Sequence, residues 1–269
     1  MSASSDVDRA TAARILIVVP ARFGSQRFPG KPLVGIKGPT GAKPLIQWSW
    51  EAASTAQDRA DILVATDDAR IAQVVRGFGG AVAMTDSALR NGTERCAAVL
   101  SQLDAAPDLV VNLQGDSPLV AQAQIDALID AWLETGAPVL TPYLTCDAVI
   151  GPALMADHAA GRVGGTTVVS DLAGNALYFS KRPVPFGVAD GQGLKLHLGL
   201  YAYTPSALHH YASRAPGPLE KAEGLEQLRF LEHGIPIRLV EVERPSSGFW
   251  EVNNPEDVPL VEEALAARG

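Results

Sequence analysis

The sequence predicts an α/β fold with a mixed, mostly parallel sheet and a β-rich insertion. Up to about residue 145, apolar runs of strand length alternate with helix-length segments. Short, continuous apolar strands between amphipathic helices are typical of a parallel sheet covered on both faces. Beyond about residue 165, runs of β-type residues follow one another without long helices, which indicates antiparallel pairing.

The first part of the chain is predicted to alternate between strands and helices. Each strand candidate is short and apolar, and each intervening segment is long enough for a helix. The predicted strands are 15–20, 62–66, 81–84, 109–115 and 137–144, and the predicted helices lie near 45–57, 69–78, 93–104 and 121–135.

The later part begins with residues 151–167, whose many glycines and alanines predict a mobile connection. Pro255 and Glu256 favour the start of a last helix, with Asn254 as its N-cap. We expect a disordered leader over residues 1–14 and a single domain over 15–269, elaborated by β-structure at about 160–230. The elements predicted after the connection are strands within 165–171, 176–185, 196–204 and 235–242, and helices near 205–213, 218–233 and 255–267.

Composition excludes several classes of protein. The chain has 269 residues, of which 47% are hydrophobic, so it can bury a substantial core. A net charge of −8 argues against a general nucleic-acid or membrane-surface binder, and no apolar run is long enough to span a membrane. Cys96 and Cys146 lack metal-type spacing, which favours reduced thiols in a cytoplasmic protein.

The stretch VVPARFGSQRFPGKPL (18–33) places Arg22, Arg27 and Lys31 on a glycine-bearing loop directly after a buried strand. Ligands of open α/β sheets bind beyond the carboxyl ends of the strands. Backbone N–H groups and cations there suit a polyphosphate. A solvated basic loop is the alternative, but it leaves the Gly-Ser and Pro-Gly turns unexplained. Neither a Walker loop nor a dinucleotide fingerprint is present.

Two further segments offer oxygen ligands for a metal ion. In VVNLQGDSP (110–118) an apolar strand ends at Gln114, Gly115 and Asp116, and Asp116 is well placed to hold Mg²⁺ near a triphosphate. In GFWEVNNPED (248–257), Asn253 is a candidate second ligand. Taken alone, Asp116 is equally well explained as a turn residue, and Asn253 and Asn254 as helix caps.

These residues belong to a wider resemblance. From Ile15 to Leu265 the chain resembles the sugar-acid cytidylyltransferases, most closely the CMP-Kdo synthetase branch, which acts on 3-deoxy-manno-octulosonate (Kdo). The resemblance rests on the motifs VPARFGSQRFPGKPL, VATDD, NGTER, NLQGDSP, ALYFSKR, HLGLYAY, LEKAEGLEQLR and VNNPED, which occur in the family's order.

The resemblance implies a Rossmann-like GT-A nucleotidyltransferase fold and a homodimer formed through the β-rich insertion. It implies transfer of CMP from CTP to the anomeric hydroxyl of a 3-deoxy-2-ulosonic acid, with release of pyrophosphate, in lipopolysaccharide or capsule biosynthesis. The implied site residues are Arg22, Arg27 and Lys31 at the triphosphate, Ala21, Ala65, Gly92 and Thr93 at the nucleoside, Asp116 and Asn253 at Mg²⁺, and Gln114, His197, Tyr201, Glu226 and Gln227 at the sugar acid. The spacing of His197 and Tyr201 would put both on one face of a strand.

The chain also departs from the family pattern. Ser117 replaces an acid beside the metal site, and Asn253 stands where the Kdo enzymes carry Asp. A lysine of the family is replaced by Thr167, while Lys181 and Arg182 stand together. Two alternatives therefore remain: a cytidylyltransferase for another acidic sugar, such as a sialic-acid-like nonulosonate or 8-amino Kdo, and a non-catalytic nucleotide-binding paralogue. The presence of Asp116 and Lys31 favours an enzyme.

Overall fold

The structure is a computed structural model that describes residues 13–25, 27–244, 248 and 250–268. Most of the predicted leader, residues 1–12, lies outside the described residues. The chain forms two compact units, one of residues 1–126 with 244–269 and the other of residues 127–243. Among the helices that the structure describes, none combines the length and the apolar character needed to cross a membrane.

The first unit alternates strands and helices. Its amino-terminal elements are β1 (Ile15–Ala21), a 3-10 turn (Lys31–Leu33), β2 (Gly35–Gly38), β3 (Gly41–Pro44), α1 (Leu45–Ser54), β4 (Asp61–Thr66), α2 (Ala69–Gly77), β5 (Ala81–Met84), α3 (Gly92–Leu100) and β6 (Leu109–Leu113), and a second 3-10 turn (Pro255–Asp257) and the last helix (Val258–Ala266) return to it from the end of the chain. Helix α4 (Gln122–Thr135) follows β6 and includes the residues at which the two units divide.

The sheet of the first unit is parallel. Its strand order is β5-β4-β1-β6, and every pairing between these neighbours is parallel. Every residue of β1 is buried, as expected of an internal strand covered on both faces. The predicted parallel sheet is thus confirmed, with the strand at 81–84 found at its predicted bounds.

The end of the chain packs back onto the first unit. Strands β2 and β3 form an antiparallel hairpin that was not predicted as strands. Trp48 on α1 donates from its indole Nε1 to the Ile36 carbonyl over 2.9 Å. Ile36 and Trp48 share a buried cluster with Val252 and with Val261 of the last helix. This packing fixes the course of the residues just before that helix.

The second unit is β-rich, as predicted. Strand β7 pairs in parallel with β12 and antiparallel with both β10 and β11, while β8 pairs antiparallel with β9 and β10. Its elements are β7 (Val139–Thr145), α5 (Ile150–Ala159), β8 (Thr167–Ser170), β9 (Ala176–Ser180), β10 (Lys195–His197), β11 (Leu200–Tyr203), α6 (Pro205–Ala212), α7 (Pro218–Glu223), α8 (Leu228–Glu232) and β12 (Ile237–Glu241). The last helix of the chain is therefore α9.

Three predictions of local structure were wrong. The first half of the mobile connection predicted at 151–167 is formed by helix α5. The single helix predicted at 218–233 is interrupted by Gly224, whose φ of 62° ends α7 in the left-handed conformation that glycine accepts without strain. The strand predicted at 196–204 is bent, because the Leu200 N–H closes a tight turn on the Leu198 carbonyl over 2.8 Å.

Candidate functional site

The loop after β1 is held by backbone hydrogen bonds. The Phe23 carbonyl accepts from the N–H groups of Ser25 and Gly30 over 2.9 and 3.0 Å, and Asp67 accepts from the Phe23 N–H over 3.3 Å. A 3-10 turn with a proline in its first turn then begins at Lys31. The loop thus turns back towards the sheet and carries its last cation to the end of the parallel strands.

Lys31 meets Asp116 at that edge. Its Nζ lies 2.5 Å from Asp116 Oδ2 and also donates to the Val252 carbonyl over 2.7 Å. The Asp116 side chain is 25% exposed and that of Lys31 12%, so solvent screens this ion pair only in part. The predicted phosphate cation and the predicted metal ligand are therefore direct neighbours.

Gly115 determines how Asp116 is presented. Its N–H donates to the Pro20 carbonyl over 3.2 Å, and its own carbonyl accepts from Ser49 Oγ over 3.0 Å. A Cβ at this position would lie 2.6 Å from the Pro20 oxygen, which is closer than backbone atoms tolerate. Glycine allows the chain after β6 to pass directly against the end of β1, which brings Asp116 next to the loop.

Arg27 joins this cluster through Asn253. Its Nη2 donates to Asn253 Oδ1 over 3.1 Å. The N–H groups of Asn253 and Asn254 both donate to the Asp257 carboxylate, over 2.8 and 2.7 Å, and so anchor the segment at the start of the second 3-10 turn. Arg27, Lys31, Asp116 and Asn253 are thus brought together.

Arg22 takes a separate position. It is exposed, and its Nη1 makes one long hydrogen bond, of 3.4 Å, to the Arg90 carbonyl just before α3. This contact places Arg22 on the side of the loop that faces the segment of Gly92 and Thr93.

Glu251 is a member of the cluster that the sequence analysis missed. Ser117 Oγ donates to Glu251 Oε1 over 3.3 Å, and Asn253 Nδ2 donates to Oε2 over 3.5 Å. Burial, and after it the negative charge of Asp116, raise the pKa of Glu251 to about 7. An acid two residues before the predicted ligand Asn253 was the available signal.

The predicted nucleoside residues lie at strand ends and at a helix start. Ala21 and Ala65 are buried near the carboxyl ends of the paired strands β1 and β4, so they can offer a ligand little beyond backbone groups and small size. Gly92 and Thr93 begin α3. A Cβ at Gly92 would lie 3.0 Å from Gln114 Oε1, which places this predicted sugar contact against the start of α3.

The sequence analysis did not identify Asn112 as a residue of the candidate site. Asn112 lies on β6, is fully buried, and neither atom of its amide has a hydrogen-bond partner among the described residues. A Cβ at Gly92 would lie 3.1 Å from its Nδ2. The signal in the sequence was an asparagine inside the apolar run LVVNL, where β-strands are normally depleted of this residue.

In the second unit, His197 and Tyr201 lie on different strands, β10 and β11, so the one-strand argument for their common face was wrong. Their rings nevertheless meet, with centroids 5.3 Å apart. Thr141 Oγ1 donates its one proton to the Leu200 carbonyl over 2.7 Å, so it accepts from His197 Nε2–H over 2.9 Å. Burial lowers the pKa of His197 to about 3. His197 is therefore neutral, and Nδ1 is left as an acceptor and not a donor.

Gln227 lies at the start of helix α8, and Glu226 directly precedes it. Gln227 is buried at the N-cap of α8, and its Nε2 has no hydrogen-bond partner among the described residues. Phe230 of α8 stacks on Tyr203 with centroids 5.6 Å apart, and Tyr203 stacks on Tyr201 at 5.7 Å. This series of stacked rings connects helix α8 with the bend between β10 and β11.

Glu223 organises the neighbouring segment that contains Lys181. Its carboxylate accepts from the Tyr178 hydroxyl, the Ser180 hydroxyl and the Lys181 N–H over 3.1, 3.0 and 2.9 Å. Thr167, which replaces a lysine of the family, donates from Oγ1 to the Arg182 carbonyl over 2.9 Å. The position thus ties β8 to the segment after β9 and supplies no cation.

The oxygen atoms of the cluster in the first unit fit a magnesium ion whose remaining ligands are phosphate oxygens. Asp116, Glu251, Asn253 and Ser117 offer carboxylate, amide and hydroxyl oxygens, which are the hard ligands that Mg²⁺ prefers. No group of three or more His, Cys, Asp or Glu residues suited to a metal occurs in the part of the chain that the structure describes. Mg²⁺ commonly takes one or two carboxylates together with substrate phosphates, so such a group is not required.

Comparison with known proteins shows which family this chain resembles. The profile of a family described as cytidylyltransferase matches residues 16–239. A 3-deoxy-manno-octulosonate cytidylyltransferase from Maricaulis maris is 39% identical over 258 residues, which cover 95% of this chain and 98% of that protein. An 8-amino-3,8-dideoxy-manno-octulosonate cytidylyltransferase from Shewanella piezotolerans is 41% identical over 254 residues, covering 94% and 98% of the two chains.

A solved structure shares the fold of the whole chain. The structure of a CMP:2-keto-3-deoxy-manno-octonic acid synthetase complexed with CTP superimposes with a TM-score of 0.82 at 34% identity, covering 96% of this chain and 100% of the other. Together with the family profile, this similarity confirms the nucleotidyltransferase fold and the enzyme class. The chain is therefore a member of the cytidylyltransferase family.

Proposed function

We propose that this chain transfers CMP from CTP to the anomeric hydroxyl of a 3-deoxy-2-ulosonic acid, Kdo or a close analogue, with release of pyrophosphate. The observation that carries the proposal is the convergence of Arg27, Lys31, Asp116 and Asn253 at the edge of the parallel sheet. The Maricaulis maris and Shewanella piezotolerans relatives are named for this reaction on Kdo and on its 8-amino analogue.

The chain's own residues supply charge and position. Lys31 and Arg27 would face the phosphates and stabilise the charge that grows on the departing pyrophosphate. Asp116 and Asn253 would hold Mg²⁺, which when bound would neutralise phosphate charge and polarise the α-phosphate. Lys31 is paired with Asp116, so both charges are held in place at the edge of the parallel sheet. Attack by the sugar hydroxyl needs no covalent enzyme intermediate.

The sugar acid would bind to the residues of the second unit. The neutral His197 can accept a hydrogen bond from a sugar hydroxyl at Nδ1, and the buried Gln227 Nε2 can donate one. A carboxylate-binding site without its anion leaves polar groups unpaired, so neutral sugars should be rejected. The homodimer and the cytoplasmic location remain predictions from the sequence.

Pyrophosphate release from CTP tests the function directly. Purified protein with Mg²⁺ and CTP is given Kdo, 8-amino-3,8-dideoxy-manno-octulosonate, a sialic acid or glucose 1-phosphate in parallel. We expect turnover with at least one of the two octulosonates and none with glucose 1-phosphate. The octulosonate that is turned over more efficiently shows which of the two named relatives shares its substrate preference with this chain. Comparable turnover with glucose 1-phosphate would overturn the substrate class, and binding of CTP without turnover on any acid would favour the non-catalytic alternative.

A further inference from the structure

Glu251 is held at the edge of the site by backbone hydrogen bonds on its neighbour. The Val252 N–H donates to the Asp116 carbonyl over 3.0 Å, and the Val252 carbonyl accepts from Lys31 Nζ over 2.7 Å. These two bonds fix the segment of Glu251 alongside Asp116 and Ser117. The Glu251 carboxylate therefore has a defined position beside Asp116, although it comes from the opposite end of the chain.

The side-chain contacts of Glu251 are neutral. Its two oxygens accept from the Ser117 hydroxyl and the Asn253 amide over 3.3 and 3.5 Å, which are long hydrogen bonds. No Lys or Arg among the described residues forms an ion pair with Glu251, because the nearby Lys31 pairs with Asp116. The Glu251 carboxylate is partly enclosed, and it is oriented by neutral groups without an ion pair to a cation. Such a carboxylate is well suited to bind a cation from outside.

Charge in the cluster supports the same conclusion. Arg27 and Lys31 bring two positive charges, and Asp116 alone would leave the cluster with a net positive charge that repels a divalent cation. Ser117 and Asn253 are neutral oxygen donors. In its ionised form, which a bound cation favours, Glu251 supplies the second negative charge that a metal ion needs beside these cations.

We propose that Glu251 is a second carboxylate ligand of the metal centre, binding the same divalent cation as Asp116 and Asn253. The inference rests on the proposed function, which places that cation at Asp116. It makes Ser117 and Asn253 residues that orient Glu251 as well as oxygen donors. It also assigns a site role to a position that neither the loop motif nor the QGD motif contains.

Manganese binding provides a test that does not depend on turnover. Mn²⁺ prefers similar oxygen ligands, and its binding is measured by the loss of the free Mn²⁺ signal in electron paramagnetic resonance, with and without a non-reactive methylene analogue of CTP. Glu251→Gln keeps the shape of the side chain and removes its charge. We expect it to weaken Mn²⁺ binding by about tenfold or more, on the scale seen when groups around a metal are removed. Glu256→Gln is the matched control, because Glu256 is exposed on the same segment, and it should bind Mn²⁺ like the wild type.

A second variant tests the geometry. Ser117 Oγ lies 3.3 Å from Glu251 Oε1, so Ser117→Glu in the Glu251→Gln background returns a carboxylate to the same space. We expect this double variant to regain most of the Mn²⁺ affinity. Wild-type affinity in Glu251→Gln would overturn the inference, and if that variant proved unfolded by circular dichroism, Glu251→Asp would be titrated instead, where unchanged affinity would do the same.

Turnover of the wild type separates this inference from the proposed function. Pyrophosphate release by the wild type, together with unchanged Mn²⁺ affinity in Glu251→Gln, would overturn only the metal assignment. A Mn²⁺ site that depends on Glu251 in a protein that turns over no sugar acid would overturn the reaction and support the assignment.

Discussion

Asp116 is a side chain whose loss should separate catalysis from stability. Its contact with Lys31 is 2.5 Å long, but Lys31 keeps a second acceptor in the Val252 carbonyl. Asp116→Asn should therefore cost only about 1 kcal/mol of the free energy of unfolding. Turnover should fall by about 10²-fold or more, because the carboxylate that would hold Mg²⁺ at the phosphates is lost. Steady-state pyrophosphate release and urea unfolding measure the two effects.

Asp126→Asn is the matched control for that variant. Asp126 forms an ion pair of 3.0 Å with Arg59, and the two side chains are 28% and 27% exposed. The control also removes one partly exposed ion pair, but away from the loop after β1. It should keep near-normal turnover. Near-normal turnover in Asp116→Asn as well would contradict the placement of the metal at this residue.

His197 should make the protein sensitive to acid. Burial lowers its pKa from an ordinary value of 6.5 to about 3 in the folded chain, so the unfolded chain takes up the proton first as the pH falls. The stabilising contribution is fully present above pH 6.5 and is lost as the pH falls towards 3. Between pH 7.5 and pH 5 the loss from this group amounts to about 2 kcal/mol, at about 1.4 kcal/mol per pH unit below 6.5.

Urea unfolding of the wild type and of His197→Gln at the two pH values tests whether His197 causes the acid sensitivity. Glutamine can still donate to Thr141 but does not titrate. The difference in unfolding free energy between the two pH values should shrink by about 2 kcal/mol in the variant. An unchanged difference would show that His197 does not carry the acid sensitivity.

At the scale of elements, helices α7 and α8 are joined by a buried ion pair. Arg229 Nε and Nη2 donate to the two Glu220 oxygens over 2.7 and 2.6 Å, and Arg229 is 1% exposed. Its guanidinium also stacks on the Tyr211 ring of α6, at 3.9 Å. The pair therefore brings the elements on both sides of Gly224 together.

Arg229→Met should lower the free energy of unfolding by about 3–5 kcal/mol, because it leaves the Glu220 carboxylate buried without its partner. Glu220→Leu in the same chain should recover part of this loss, since both charges are then absent. Arg162→Met is the control, because Arg162 is 66% exposed in its pair with Asp157, and it should cost less than about 1 kcal/mol. Thermal unfolding of the three variants measures the losses, and similar losses in Arg229→Met and Arg162→Met would contradict the role of the buried pair.

At the scale of the whole molecule, exposed apolar side chains of the β-rich unit are candidates for the interface of the predicted homodimer. Leu172, Leu177 and Phe186 are large apolar side chains that are mostly or fully exposed in and around β9. We expect a dimer of the 28.3-kDa chain in light scattering after size-exclusion chromatography. Leu177→Asp with Phe186→Asp should shift the mass towards one chain, because charge in an apolar interface opposes association.

Leu260→Asp is the control for the dimer, since Leu260 is 41% exposed on the last helix and outside the β-rich unit. Its mass should equal that of the wild type. A wild-type mass of one chain would contradict the dimer, and a shift caused by Leu260→Asp alone would move the interface to the other unit.

Much of the fold could be predicted because the signals are local. The buried run ILIVVPA and the alternation of apolar strands with helices determine the parallel sheet, since they reflect burial on both faces. The bend between β10 and β11 and the break at Gly224 could not be predicted in this way. Gly224 can end a helix but does not have to, and Leu198 to Leu200 can continue a strand, so local propensity alone leaves both outcomes open.

The sequence by itself determined the kinds of elements and the chemical character of the loop after β1, because apolar periodicity and clustered cations are properties of neighbouring residues. The meeting of Lys31 with Val252 was decided only by the tertiary structure, since these residues are 221 positions apart and their contact depends on the packing of the last helix against the β2–β3 hairpin. The same packing places Glu251 beside Ser117. A carboxylate brought in from the far end of the chain leaves no local pattern, because its role arises from the space it shares with Asp116 and not from its neighbours in sequence.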